Sequence, residues 1–338
     1  MPRNKKKRFL FLLGMLICII LVSIGCSVAS ETTLSSITHI TNPAELPEDL
    51  AKLKIFFTKY QNEETYVHIT SIDMTDAKTI KLIHGGRRVA LSPNGCYLAF
   101  SRLDMVEEEQ RSGIWVHDLQ DGTERKVIGW PESFNDVHID DPSFSPDSES
   151  LVFDVTWLDD ETTDLATINL DGSNLQVIDV EKPLNNFPKY SPDGEKIIVI
   201  CSGIGEDPVP MGFQLCVMSS DGTKRELLTR TGDSHGAVVF LSNSQQFIYT
   251  ESESRGIIKK HRDSLCIMDI DGENVSCILD WRIAKALAIS DDGDEVIFDG
   301  SPEQGVTHEL YIINIDGTNL RHLQYFDEFL EQWYQDEE

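Results

Sequence analysis

Tyr190-Ser191-Pro192-Asp193-Gly194 leads into the apolar run Lys196–Cys201, and a second run, Leu215–Met218, leads into Asp221-Gly222. Proline presets φ at the second position of a tight turn, and Gly, Asn or Asp suits its last position. Asp-Gly between two β-capable runs is a strong hairpin signal, because Gly readily takes the positive φ that the turn requires.

Both signals recur outward from this stretch. Asp-Gly pairs stand at 121–122, 171–172, 221–222, 271–272 and 316–317, separated by 50, 50, 50 and 45 residues. The other turn recurs as Ser92-Pro93-Asn94-Gly95, Ser145-Pro146-Asp147-Ser148, a degenerate Ser242-Asn243-Ser244 and Ser290-Asp291-Asp292-Gly293. Each repeat reads strand, Ser-Pro-Asp turn, strand, loop, strand, Asp-Gly turn, strand, and four antiparallel strands make one propeller blade. The expected fold is therefore all-β, a six-bladed β-propeller of four-stranded antiparallel blades over residues 49–338. The first unit supplies only Lys54–Lys59, Tyr66–Ile72 and Thr79–Ile83. Leu330–Asp336, which matches Pro142–Asp147 in its aromatic and acidic positions, is expected to close that first blade; the alternative is a short acidic helix over Phe326–Glu338.

The chain has 338 residues with 57 acidic against 29 basic side chains, a net charge of −28. That balance excludes a nucleic-acid binder working through counterion release, which needs a basic face. At 40% hydrophobic residues, a sizeable core can be buried.

Residues 1–25 read as an export leader, because Arg3, Lys5, Lys6, Lys7 and Arg8 precede the weakly polar run Phe9–Gly25. Ser23-Ile24-Gly25-Cys26 resembles the bacterial lipobox, with Cys26 as the lipidated residue. Cleavage after Ala29 and an uncleaved anchor are the alternatives. Residues 26–48, rich in Ser and Thr and without a sustained period, are expected to form a flexible tether.

Phe144-Ser145-Pro146-Asp147, Tyr190-Ser191-Pro192-Asp193-Gly194, Ile270-Asp271-Gly272-Glu273-Asn274 and Ile315-Asp316-Gly317-Thr318-Asn319-Leu320 resemble the repeat of TolB-like β-propellers. The resemblance covers roughly residues 50–338. Its matching residues are turn and core positions, so it implies the fold and leaves the function to the site.

In such a fold the loops entering each blade meet at the mouth of a central channel, the usual place for convergent polar groups. The candidate binding residues there are Arg87, Arg88, Asp136, His138, Asp140, Asp141, Asn185, Asn186, Asp233, His235, Trp281 and Arg282. The Asp136, His138, Asp140 and Asp141 cluster, with His235, has the donor chemistry for a divalent metal. No segment matches an Asp-x-Asp-x-Asp-Gly calcium loop, and no His-Glu-x-x-His or Cys-x-x-Cys occurs. Gly232-Asp233-Ser234-His235-Gly236 has the Gly-x-Ser-x-Gly spacing of serine hydrolases, but β runs on both sides exclude the strand-to-helix elbow which that chemistry requires.

Cys266 and Cys277 fall opposite each other if Asp271-Gly272 closes a two-residue turn, and Cys201 and Cys216 lie on neighbouring strands. Both pairs are expected mainly as small apolar core residues. The function these readings imply is an exported, membrane-anchored, non-enzymatic binding scaffold of the cell envelope. No catalytic residue or cofactor is assigned. Its partner would be an envelope protein, peptide or glycan, with the membrane reached through the N-terminal lipid or an uncleaved anchor. The alternative is a propeller-type metal-dependent lyase or hydrolase acting on an envelope or extracellular polysaccharide.

Overall fold

The computed structural model describes residues 37–61, 64–82, 86–106, 109–129, 137–158, 162–178, 185–201, 214–229, 234–255, 260–281, 283–301 and 309–335. The leader, Cys26, Asp136, Asp233 and Arg282 lie outside these residues.

Six antiparallel sheets follow one another along the chain, one per repeat. Blade one is Lys54–Gln61, Glu64–Ser71 and Lys78–Leu82; blade two is Arg87–Leu91, Tyr97–Val106, Glu109–Asp118 and Glu124–Ile128. Blade three is Val137–Phe144, Ser150–Trp157, Thr162–Asn169 and Gln176–Ile178; blade four is Asn185–Tyr190, Lys196–Cys201, Gln214–Ser219 and Glu226–Leu227. Blade five is Ser234–Phe240, Gln246–Arg255, Lys260–Asp269 and Ser276–Trp281; blade six is Ile283–Ile289, Glu295–Ser301, Glu309–Asn314 and Arg321–His322.

Side chains alternate between the two faces of each sheet, and each face packs on a neighbouring blade. Ile197 and Val199 join the cluster shared with blade three, whereas Ile198 and Ile200 join Phe247 and Tyr249 of blade five. Every seam around the ring has such a cluster, including the one between blades six and one.

The turns explain the repeat. In the Ser-Pro-Asp turns the serine Oγ donates to the acidic side chain two residues on, as Ser191 does to Asp193 at 2.6 Å, and accepts from the amide five residues on, as from Lys196 at 3.0 Å. The Asp-Gly turns differ from the two-residue hairpin expected. The Gly272 amide donates to the Asp269 carbonyl and the Asp269 amide to the Glu273 carbonyl, a three-residue loop whose Gly272 sits at φ 86. The ladder beyond the loop, with Asn274 at φ 52, still brings Cys266 opposite Cys277.

Both cysteine pairs are disulfides and not the free core thiols expected. Cys266–Cys277 spans Cα atoms 3.9 Å apart and Cys201–Cys216 Cα atoms 5.9 Å apart, both near enough to bridge.

Three other expectations are corrected. Residues 37–48 are not tether. Thr38–His39 adds as a parallel fifth strand to Arg321–His322, and Ile40, Leu46 and Leu50 are buried in the seam of blades six and one. The stretch Asp104–Ser112, which in sequence reads as a long loop interrupting a hairpin, instead continues the ladder of blade two as far as the pair Val106 and Glu109. The C-terminal segment does close against blade one, but as the helix Asp327–Gln335 and not as its fourth strand. Its apolar side chains recur at helical spacing: Phe326 and Leu330 are buried, Phe329 lies 5.6 Å from Phe57, and both Phe329 and Trp333 flank His68. The Tyr325 hydroxyl, just before the helix, donates to the Ile72 carbonyl at 2.6 Å.

Candidate functional site

The strand that opens each of blades two to six carries a β-bulge, seen as a register shift against the next strand. A bulge rotates the backbone and re-aims side chains. Four residues before the serine that opens the turn, blades two, three and four place Arg88, Asp141 and Phe187 at φ 50, 48 and 57. The equivalent positions in blades five and six are Ala237 and Ala286. All five line one cavity of about 840 Å³ in the middle of the ring, together with Lys189, Lys285 and the segment Lys52–Thr58 of blade one. Left-handed backbone at non-glycine residues costs about 1–2 kcal/mol each, so its recurrence where the strands face the channel marks an imposed geometry.

Arg88 holds the site together. Its Nε lies 3.3 Å from Asp141 Oδ1 and 3.9 Å from Asp140 Oδ2, and its guanidinium lies 4.8 Å from the centre of the Phe187 ring. Asp140 accepts from the Ser101 hydroxyl of blade two and from the Asp141 amide. Behind them Asp154 is buried, and its Oδ1 has no hydrogen-bond partner.

Three carboxyls so close cannot all ionise freely. Burial, then the neighbouring Asp140 charge, pushes the Asp141 carboxyl up to about 7 against the opposing pull of Arg88 and Lys189. Burial, then Asp141 and Asp140, pushes Asp154 well above the usual carboxylate range. Lys189 is driven below the usual lysine range, first by burial and also by Lys285, while Asp141 opposes. Neither Lys189 nor Lys285 has an ion-pair partner among the described residues.

Of the residues proposed from sequence, Arg88 and Asp141 line the cavity and Asp140 adjoins it. Arg87 is exposed, whereas His138 and Asn186 are half-buried on the opening strands of blades three and four, none of them in the cavity wall. Asn185 opens Asn185–Tyr190, and His235 follows the first residue of Ser234–Phe240. Ser234 thus begins a strand and no helix follows it, as an inter-blade position requires. Trp281 is not at the channel mouth: it is buried against Tyr311 and Phe298, ring centres 4.7 and 5.5 Å away. Among the described residues, the grouping of three ligand-type side chains close enough to share a metal is Glu251 with Cys266 and Cys277, whose sulfurs are bonded to each other.

Sequence reasoning missed Phe187, Lys189, Lys285 and Asp154. The first three stand two to five residues before the serine turn of their own repeat, so closeness to that turn was the available signal.

A ring of six sheets around a charged, bulge-lined cavity defines a β-propeller protein whose candidate site is its central channel. The chain belongs to the TolB beta propeller domain family, whose sequence profile matches residues 52–332. Among solved structures it is similar to TolB from Acinetobacter baumannii, at 17% identity and a TM-score of 0.60 over 82% of this chain and 68% of that one. An oligogalacturonate lyase in complex with manganese is similar at 15% identity and a TM-score of 0.58, covering 84% of this chain and 75% of that one. The oligogalacturonate lyase of Vibrio parahaemolyticus follows at 12% identity and a TM-score of 0.56, covering 84% and 76%. At such identities the likeness is one of fold. No curated protein matches the sequence.

Proposed function

We propose that the chain is a non-enzymatic binding scaffold of the cell envelope that captures its ligand in the central channel. The observation that carries this reading is the bulged ring, which turns Arg88, Asp141 and Phe187 into one cavity alongside Lys189 and Lys285. A cation over an aromatic ring, a partly protonated carboxyl and two lysines without ion-pair partners among the described residues form a recognition set: they offer donors, an adjustable acceptor and a stacking face.

The envelope address rests on the basic and apolar leader 1–25 and on the lipobox-like Ser23–Cys26. Its partner is an envelope protein, peptide or glycan, and the membrane is reached through lipid on Cys26 or an uncleaved anchor.

The test pairs Arg88→Ala with Lys189→Gln. Loss of capture of defined envelope peptides and glycan fragments, with unchanged thermal stability, supports the scaffold. Turnover of an acidic polysaccharide that depends on added manganese would favour the lyase instead. Metabolic palmitate labelling that disappears in Cys26→Ala tests the anchor.

A further inference from the structure

Among the described residues, blade one is a strand short. Blades two to six each have a channel-side strand paired to the next one, whereas Lys54–Gln61 is itself the channel-side edge of the first blade, and no described strand pairs with it there. Its neighbour Glu64–Ser71 is matched residue for residue from Gln61 with Glu64 to Lys54 with Ser71. Along such an antiparallel ladder, hydrogen-bonded pairs alternate with non-bonded ones. The bonded set is 61, 59, 57 and 55, and it continues to Leu53, whose carbonyl accepts from the Ile72 amide at 3.0 Å. The N–H and C=O groups of Lys54, Phe56, Thr58 and Tyr60 therefore point away from the blade. At Lys54, Phe56 and Thr58 that direction is the cavity, whose wall includes Lys52 through Thr58.

A row of unpaired backbone donors and acceptors is a template for an added strand. The same cavity holds Lys189 and Lys285, which have no ion-pair partner among the described residues, in a chain whose net charge is −28. Its other basic residues are already engaged: Lys52 with Asp73, Lys54 with Asp76 and Arg88 with Asp141. The carboxylates in the wall are Asp141, Asp291 and Asp299.

We infer that an extended, acidic segment of a partner protein enters the channel and adds to the Lys54–Gln61 edge as the missing strand of blade one, its carboxylates meeting Lys189 and Lys285. This rests on the channel being the binding site. The opening strands of the other blades, from the five residues Arg87–Leu91 to the eight of Val137–Phe144, set the length of the segment.

The probe is a nine-residue synthetic peptide alternating Glu with Val and Thr, compared with versions carrying Ser or Lys in place of Glu. The full chain is expected to bind the Glu peptide about tenfold more tightly than the Ser peptide and not to retain the Lys peptide. N-methylation of alternate amides should abolish binding on one edge of the peptide and spare it on the other. Thr58→Pro removes an outward donor and leaves the pairing to Glu64–Ser71 intact, so it should weaken binding at least tenfold with Tm unchanged. Lys189→Gln combined with Lys285→Gln should erase the preference for Glu over Ser. Binding that survives N-methylation on either edge but is lost in Arg88→Ala overturns strand addition while keeping the channel as the site. A Glu peptide that is not bound, or is bound equally by every channel variant, overturns the inference as well.

Discussion

Arg88 and Asp141 occupy the same position in neighbouring blades, and their side chains meet with 3.3 Å between Nε and Oδ1. Two copies of one repeat position have thus become the two halves of an ion pair. Because Asp140 and Asp154 crowd the same spot, this pair controls how the channel responds to pH.

Asp141 is an acid whose folded-state pKa, about 7, lies above its unfolded value. Between those values the folded chain holds more protons than the unfolded one, so stability falls as pH rises from about 4 towards 7. Asp141→Asn removes this dependence and is expected to stabilise the protein at pH 8 by on the order of 1 kcal/mol, each pKa unit being worth about 1.4 kcal/mol. Thermal melts of both proteins at pH 5 and pH 8 check it: the gain should vanish at the lower pH.

His68 gives a slope of the opposite sign. Burial lowers its pKa, and its ring packs against Phe329 and Trp333, centres 4.3 and 5.7 Å away, while Nδ1 bonds the Thr79 hydroxyl at 2.8 Å. The unfolded chain binds its proton more readily, so this contribution is present above the ordinary histidine pKa and is lost on acidification. His68→Gln should flatten the fall in Tm below pH 6, and Trp333 fluorescence should report release of the helix in the wild type.

Leu330 is 1% exposed in the seam of blades six and one. Leu330→Ala leaves a cavity there and is expected to cost about 2–5 kcal/mol. Denaturant unfolding should show a lower midpoint, and deletion of residues 327–338 should lower it further.

Thiol chemistry separates the cysteines. Native, unreduced protein should be alkylated at the exposed Cys96, while Cys201, Cys216, Cys266 and Cys277 react only after reduction. Peptide mass mapping would show the two bridges as linked peptides. Breaking either is expected to cost about 2–4 kcal/mol.

The strands and turns were legible because they depend on local chemistry. A serine that bonds an aspartate two residues on, and a glycine that takes φ 86, require nothing from the rest of the chain. The site was half legible. Arg88, Asp140 and Asp141 stood out as charges before a Ser-Pro turn, but Phe187, at the same distance from its own turn as Arg88, and Lys189, two residues nearer, looked like ordinary strand residues. Trp281 misled for the converse reason: beside Arg282 it looked like a loop aromatic, yet its neighbours Phe298 and Tyr311 come from the next blade.

The repeat length and the turn residues by themselves determined six sheets of antiparallel strands. Only the tertiary structure decided how the ring shuts. The acidic, aromatic C-terminus suits a strand or a helix almost equally, and the helix Asp327–Gln335 prevails because the seam offers apolar partners to Phe326 with Leu330 and to Phe329 with Trp333, each pair four residues apart. That outcome leaves the Lys54–Gln61 edge open to the channel, and the bulges turn Arg88, Asp141 and Phe187 toward the same space. Neither relationship is written in any short stretch of sequence, since each requires residues from distant repeats to be brought face to face.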